Sequence, residues 1–310
     1  MKHSLAVELN GLRFAHPVLS ASGCLATGHD VPGLVDLHKL GGVVSRSLTL
    51  APSKGASTPR SAETPSGLLS AVGLQNPGVE AFVEQDLPRL QKAGVPVIGS
   101  VAGSGLEEFI RVASMLHRQP GVVALEVYLS SPDLERGGAP IYARLDRILE
   151  IVGAVARLSS LPVFAKLPPL VPDLVETARA CVRAGAFGLT LVDAMPGLAV
   201  DAARLRPKTA IPVAGLSGPA LKPLALAAVY QVARAMPDVP VMGVGGIFSG
   251  TDAVEFLLAG AWAVQVGTAL LVNPAAPVEI ARGVLEYLRE KGIASPADLR
   301  GRLRVRGEPG

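Results

Sequence analysis

The residues with the clearest chemical signature end two apolar runs in the last third of the chain. One run ends in Gly245 and Gly246, and the next ends in Gly267 and Thr268. An amphipathic segment, residues 251–258, separates them, so the pattern predicts strand, helix, strand. Glycine leaves backbone N–H groups uncovered, and two such strand ends side by side can surround a phosphate dianion. From this stretch alone, glycines that only form tight turns remain the alternative.

A lysine is the second candidate for chemistry. Lys166 ends the apolar stretch Val163 to Leu167, which carries no other charge. Its ammonium group either reaches solvent or is directed at an anionic ligand or an electron-rich ring. We favour the second interpretation because polar residues at the ends of parallel barrel strands usually face the active site. Together with the glycines, Lys166 predicts a phosphorylated cofactor such as FMN across that end of the fold.

The elements that must position these residues are short, buried-type strands alternating with helices. The eight predicted strands are Pro17 to Ala21, Gly42 to Ser47, Pro96 to Val101, Val122 to Leu129, Pro162 to Leu167, Phe187 to Val192, Pro240 to Val244 and Ala263 to Gly267. Helical patterns occupy most gaps, for example Glu107 to His117, Ile141 to Leu158, Leu174 to Ala184 and Pro223 to Met236. This alternation predicts a single (β/α)8 barrel domain over residues 1–310, with a doubly wound open sheet as the alternative. Two insertions, residues 50–80 and 194–222, follow the second and sixth strands and are expected to cover the mouth of the barrel.

Composition narrows the classes of function. The chain has 310 residues, of which 49% are hydrophobic, 18% charged and only 4% aromatic, with a net charge of +3. Nucleic acid is therefore not an expected partner. Cys24 and Cys181 are too few thiols for an iron–sulfur or zinc site, so any metal-cluster electron chemistry would come from another subunit. No charge-free window reaches the length of a membrane span, which favours a cytoplasmic enzyme.

Several motifs in fixed order carry a resemblance to a known family. They are PVLSASG at 17–23, GLLSAVGLQNPG at 67–78, LPVFAKL at 161–167, GLSGPALKP at 215–223, PVMGVGGI at 240–247 and AGAWAVQVGTAL at 259–270. Over nearly its whole length the chain resembles the dihydroorotate dehydrogenases, FMN enzymes that oxidise dihydroorotate to orotate in pyrimidine synthesis. The soluble class of that family has no N-terminal membrane helix.

The resemblance implies a set of residues for FMN. Lys166 would contact the flavin ring, with Arg46 beside flavin and substrate at the position of a family lysine. The other implied FMN residues are Ala21, Ser22 and Gly23 at the ring, Gly215 and Ser217 at the ribityl chain, and Gly245, Gly246, Gly267 and Thr268 at the phosphate. No metal site is implied.

The substrate positions depart from the family pattern. Ser131 takes the place of the catalytic base, which is cysteine in the soluble class and serine in the membrane-bound class. The implied substrate residues are Ser70, Gly73, Leu74, Tyr128, Asp133, Asp193 and Ala194. Family asparagines are replaced at Ser70, Tyr128, Asp133 and Asp193. An asparagine amide both donates and accepts hydrogen bonds, whereas an ionised aspartate only accepts them.

These departures leave three functions open. Dihydroorotate oxidation is the default that the resemblance implies. A diverged enzyme acting on another cyclic amide or enone, and a flavin-binding barrel without catalysis, are the alternatives. An iron–sulfur flavoprotein subunit that carries electrons to a nicotinamide is among the partners that family members use, and a homodimer is the oligomer that the resemblance favours.

Overall fold

The computed structural model describes residues 3–25, 35–132 and 134–304. The strands in chain order are β1 (Val7–Leu9), β2 (Leu12–Phe14), β3 (Val18–Ser20), β4 (Val43–Val44), β5 (Ser61–Thr64), β6 (Gly67–Ser70), β7 (Val97–Val101), β8 (Val122–Tyr128), β9 (Val163–Leu167), β10 (Gly188–Leu191), β11 (Met195–Gly197), β12 (Val200–Asp201), β13 (Arg206–Pro207), β14 (Ala214–Ser217), β15 (Val241–Val244) and β16 (Ala263–Val266).

The α-helices lie mainly between these strands. They are α1 (Val79–Ala81), α2 (Leu87–Lys92), α3 (Leu106–Leu116), α4 (Leu145–Leu158), α5 (Leu174–Arg183), α6 (Lys222–Ala235), α7 (Gly250–Ala259), α8 (Thr268–Val272) and α9 (Ala276–Glu290), with a π-helical turn, Phe82–Asp86, joining α1 to α2. Within the described ranges, no helix combines the length and the apolar character needed to cross a membrane.

Eight parallel strands close into a barrel. Their order around it is β3, β4, β7, β8, β9, β10, β15 and β16, and β16 pairs back to β3. The closure confirms the predicted (β/α)8 barrel and excludes the open sheet. Each predicted strand supplies one barrel strand, and most of them are shorter than predicted. The second is reduced to Val43–Val44.

The predicted helices agree with the structure to within a residue or two, with one exception. The segment predicted as a helix from Ile141 begins with a 3₁₀ turn, Ile141–Ala143, and α4 starts only at Leu145. Arg144 between them is extended, with φ of −134°, and this interrupts the helix. Helix α7 is defined at its N-terminus by a capping box between Ser249 and Asp252. That cap fixes the segment between the two glycine-ended strands.

The two insertions form one structure. Residues 50–80 were expected to be a loop, but they contain the hairpin of β5 and β6, and β6 pairs with β14 of the second insertion. The result is a four-stranded antiparallel sheet in the order β11, β14, β6, β5. Leu69, Ala71 and Ala214 are its buried residues and form a small core of their own. Strands of three or four residues are too short for alternation of apolar and polar side chains to predict this pairing from sequence.

Candidate functional site

Polar side chains gather where β8, β9 and β10 end. Lys166 lies on β9, Ser130 follows β8, and Asp193 follows β10. Register brings them together, since Tyr128 pairs with Lys166 and Lys166 pairs with Thr190 on the next strand. In a parallel barrel these carboxyl ends form the active-site face.

Lys166 points into the protein. Its side chain is 5% exposed, and its Nζ lies 3.4 Å from Oε1 of Glu126, which is fully buried. The interpretation of Lys166 as a solvent-reaching residue is therefore wrong. Burial lowers the pKa of Lys166, but Glu126, Asp193 and Cys24 together outweigh burial and hold the pKa above its ordinary value. The lysine is thus a cation at neutral pH.

Glu126 is the centre of a buried polar cluster that the sequence reasoning missed. Its Oε2 accepts hydrogen bonds from Thr190 Oγ1 at 2.9 Å and from Gln265 Nε2 at 2.8 Å. With Lys166, the cluster draws on four barrel strands, β8, β9, β10 and β16. A signal was available, because a carboxylate in the middle of the apolar strand VVALEVY requires a buried partner.

The glycines that are predicted to surround a phosphate lie next to the four-stranded sheet formed by the two insertions. Thr268 Oγ1 donates to Ser217 Oγ at 2.8 Å, which joins the end of β16 to β14. Gly246 has φ of +72°, and a Cβ there would lie 2.7 Å from Cβ of Lys222 and 3.0 Å from the carbonyl oxygen of Gly218. A side chain at this position would therefore collide with the start of α6. Gly245 also has positive φ, at +123°.

Cys24 links the glycines at the end of β16 to Lys166. A Cβ on Gly267 would lie 3.3 Å from Cys24 Sγ and 3.5 Å from Cβ of Ala21. Lys166, Asp193 and Arg46 all interact electrostatically with the Cys24 thiol. Burial is the largest effect on that thiol and raises its pKa. Cys24 thus links the end of β16 to Lys166 on β9.

Serine hydroxyl groups line the strand ends on the Arg46 side. Ser22 Oγ donates to the carbonyl of Ser45 at 2.8 Å and lies 3.2 Å from Ser47 Oγ, which in turn lies 3.0 Å from Ser100 Oγ. Arg46 is half-buried, and its Nη1 donates to the carbonyl of Gln75 at 3.4 Å. This bond ties Arg46 to the insertion. Gly23, with φ of +78°, has no atom within 4 Å of a Cβ placed on it.

Asp193 forms the acidic part of the site. Its Oδ2 accepts a hydrogen bond from Ser130 Oγ at 2.6 Å. Tyr128 lies in the same cluster, and its pKa is held well above the ordinary value, first by burial and then by the charge of Asp193. The structure therefore brings Tyr128, Ser130 and Asp193 into contact.

The remaining substrate candidates lie on or beside the insertion sheet. Ser70 is paired with Gly215, and a Cβ on Gly215 would lie 2.9 Å from Cβ of Ala194. Gly73 and Leu74 have φ of +69° and +57°. The structure thus brings Ser70 and Ala194 to either side of Gly215.

The predicted roles of two residues, Ser131 and Asp133, are not tested by the structure. Ser131 is fully buried, and its hydroxyl has no hydrogen-bond partner among the described residues. Its role as the base stays a prediction. Asp133 lies outside the described residues.

Comparisons with known proteins agree on one family. The family model described as dihydroorotate dehydrogenase matches residues 4–288. A protein of Geotalea daltonii named "dihydroorotate dehydrogenase B (NAD(+)), catalytic subunit" is 44% identical over 304 residues, covering 98% of this chain and 99% of the relative. Relatives of the same name from Trichlorobacter lovleyi and Desulforamulus reducens are 45% and 42% identical over 303 and 301 residues, covering 98% and 97% of this chain and 99% of each relative.

Proposed function

This chain belongs to the dihydroorotate dehydrogenase family of flavin-dependent oxidoreductases of pyrimidine biosynthesis, and we propose that it is the FMN-containing catalytic subunit that oxidises dihydroorotate to orotate. The observation that carries this proposal is the succession of neighbouring residues from Ser217 and Thr268 through Gly267 and Cys24 to Lys166. Glycine-ended strands lie at one end of it and a buried cation at the other.

The residues present fit FMN. Gly245 and Gly246, both at positive φ, end β15 without side chains, as expected where backbone must approach a phosphate closely. Gly245, Gly246, Gly267 and Thr268 would hold the phosphate, and Gly215 and Ser217 the ribityl chain. Ala21, Ser22 and Gly23 would line the ring, with Lys166 and Arg46 as the cations nearest to it. When bound, FMN supplies the two-electron oxidant.

The chain's own residues would bind and orient the substrate. Arg46 presents a planar guanidinium that can hold a carboxylate through two parallel hydrogen bonds. Lys166 keeps its charge because Glu126 lies behind it, so the site retains positive charge although it is buried. Ser70, Gly73, Leu74, Tyr128, Asp133, Asp193 and Ala194 would form the rest of the substrate pocket. A serine of the loop after β8 would take the carbon-bound proton.

A second candidate is favoured by Asp193. Its carboxylate accepts from Ser130 and lies beside Tyr128, at positions where family members have amides. An anionic acceptor in place of an amide disfavours a carboxylate or carbonyl and favours a ring that donates hydrogen bonds. The second candidate is therefore oxidation or reduction of another cyclic amide or enone by the same flavin site.

One experiment separates the two candidates. The purified protein, loaded with FMN, is mixed without oxygen with dihydroorotate, and the loss of flavin absorbance is followed. Rapid bleaching at low substrate concentration supports dihydroorotate oxidation. A protein that holds FMN and is bleached by dithionite but not by dihydroorotate contradicts the proposed substrate and favours the second candidate.

We also propose an assembly with other subunits. The words "catalytic subunit" in the relatives' names imply an electron-transfer partner there, and an iron–sulfur flavoprotein would carry electrons to a nicotinamide.

The second insertion exposes a group of apolar side chains, Leu198, Val200, Leu205, Ile211 and Val213. Several exposed apolar residues in one insertion favour an interface, and we assign this one to a homodimer. Leu205, 88% exposed, is its most prominent side chain, and Leu205→Asp should shift the mass measured by light scattering from dimer to monomer.

A further inference from the structure

The turn that follows β15 is packed against the first turn of α6. A Cβ on Gly246 would lie 2.7 Å from Cβ of Lys222, the first residue of α6, and 2.9 Å from its backbone nitrogen. A Cβ on Gly245 would lie 3.0 Å from Cβ of Ala225, in the same helical turn. The position of the two glycines therefore depends on where α6 begins.

The side chain of Lys222 reaches from α6 to α7. Its Nζ lies 2.5 Å from Oδ1 of Asp252 and 2.9 Å from Oε2 of Glu255, and both acids are on α7. The hydrogen bonds, first that to Asp252 and then that to Glu255, hold the pKa of Lys222 above its ordinary value. The ammonium group thus bridges the helices that precede and follow β15.

Asp252 uses its second oxygen to hold the turn itself. Its Oδ2 accepts hydrogen bonds from the backbone N–H of Phe248 at 3.0 Å and of Ser249 at 2.8 Å, and from Ser249 Oγ at 2.8 Å. Burial raises the pKa of Asp252, but the hydrogen bonds from Lys222, Phe248 and Ser249 outweigh burial and lower it. One carboxylate therefore ties the residues that follow Gly246 to Lys222.

These contacts decide what Lys222 can do for a phosphate. A lysine beside glycine-rich strand ends would ordinarily be taken for a phosphate ligand. Here two carboxylates already surround its ammonium group, and they would repel a phosphate dianion brought to the same place. Backbone N–H groups of the turn can bind the dianion without this cation.

We propose that Lys222 is a positioning residue for the FMN phosphate and does not bind the phosphate itself. It acts through Asp252, which holds residues 248 and 249 directly after the glycines. The inference rests on the proposed function, because it concerns the same FMN site. With the bridge in place, the turn after β15 presents its N–H groups in one fixed arrangement, and without it the turn and α6 can move apart.

Flavin binding to the full-length protein tests the proposal without a measurement of activity. Fluorescence titration compares FMN with riboflavin, which has the same ring and ribityl chain but no phosphate. Lys222→Met should weaken FMN binding by about tenfold and riboflavin binding by less than about twofold. Arg183→Met, which removes an exposed ion pair with Glu176 on α5, is the control and should bind both flavins as the wild type does.

Asp252→Asn distinguishes positioning from direct contact with the phosphate. This variant keeps Lys222 and removes the carboxylate that the lysine acts through. It should weaken FMN binding by about tenfold, and the double variant with Lys222→Met should bind about as weakly as either single variant, because both remove one contact. A lysine that binds the phosphate directly would be released by Asp252→Asn, so unchanged or tighter FMN binding overturns the proposal. Losses that multiply in the double variant also overturn it.

A second measurement needs no variant and therefore holds if a substitution prevents folding, which circular dichroism detects. Between about 0.05 and 0.5 M sodium chloride, the ratio of FMN affinity to riboflavin affinity in the wild type should change by less than about twofold, because the charge of Lys222 is already neutralised. A fall of this ratio by about tenfold would indicate a salt-sensitive cation at the phosphate and would overturn the proposal.

Failure of this inference can be told apart from failure of the proposed function. A wild type that binds no FMN contradicts the proposed function, and the positioning role falls with it. A wild type that binds FMN while Lys222→Met binds it equally well overturns only the positioning role. Equal losses for FMN and riboflavin in Lys222→Met also overturn it, since the change would then not concern the phosphate.

Discussion

Lys166 Nζ lies 3.4 Å from Glu126 Oε1 in the barrel interior, with side-chain exposures of 5% and 0%. Removing one partner of such a pair leaves an uncompensated buried charge. We therefore expect Glu126→Gln to lower the free energy of unfolding by about 3 kcal/mol, measured by urea denaturation. Glu8→Gln, which breaks the exposed pair with Arg13, is the control and should cost less than about 1 kcal/mol. Equal losses in the two variants would contradict a buried ion pair.

The same pair predicts a pH dependence with a definite sign. The pKa of Lys166 is raised in the folded protein, so its stabilising contribution is fully present below the unfolded pKa of about 10.4 and is lost as pH rises through the folded pKa. Without Glu126, burial is expected to lower the lysine pKa, and stability then increases as the lysine deprotonates.

The measurable consequence is the difference in free energy of unfolding between wild type and Glu126→Gln. This difference should narrow as pH rises toward and through the unfolded lysine pKa of about 10.4. Taking the difference cancels the titration of the other lysines and tyrosines. A difference that stays constant or widens over this range would show that the Lys166 charge is not held by Glu126.

The fold was predictable from sequence because one physical signal repeats. Buried parallel strands appear as short continuous apolar runs, and eight of them separated by helices leave a closed barrel as the simplest arrangement. The insertion sheet was not predictable, since its strands β5, β6, β11 and β14 have only three or four residues each. Their pairing depends on contacts such as Leu69 with Leu216, which are far apart in sequence.

Within the candidate site, the residues proposed to hold FMN could be picked out from the sequence because their motifs are local. The contacts of Glu126 and Asp193 could not, because each depends on register between strands. Ser130 is the clearest example. Its sequence context suggests a Ser-Pro turn, and only the structure brings its hydroxyl within 2.6 Å of Asp193, sixty-three positions away.

Both cysteines should react slowly with iodoacetamide. Burial raises the pKa of Cys181 from 9.0 to about 12, so at pH 8 its thiolate fraction should be about a thousandfold lower than that of an unperturbed thiol. The pKa of Cys24 is also raised, first by burial. Intact-mass spectrometry at pH 8 should therefore show mainly unmodified protein over minutes, with full alkylation after unfolding in urea. Rapid double alkylation of the native protein would contradict the raised pKa of both thiols.

The last prediction tests the phosphate end of the site. Gly246→Ala places a Cβ 2.7 Å from Cβ of Lys222 and 2.9 Å from its backbone nitrogen, at φ of +72°. The strand end must shift, so we expect FMN to bind at least about tenfold more weakly, a change of about 1.4 kcal/mol. Fluorescence titration of the flavin-free protein with FMN measures the dissociation constant.

Gly292→Ala is the matched control, because Gly292 also has positive φ, at +63°, but has no atom within 4 Å of an added Cβ. That variant should lose about 1 kcal/mol of stability to backbone strain while its FMN affinity stays that of the wild type. If both variants bind FMN equally well, the glycines at the end of β15 are turn residues and the phosphate lies elsewhere.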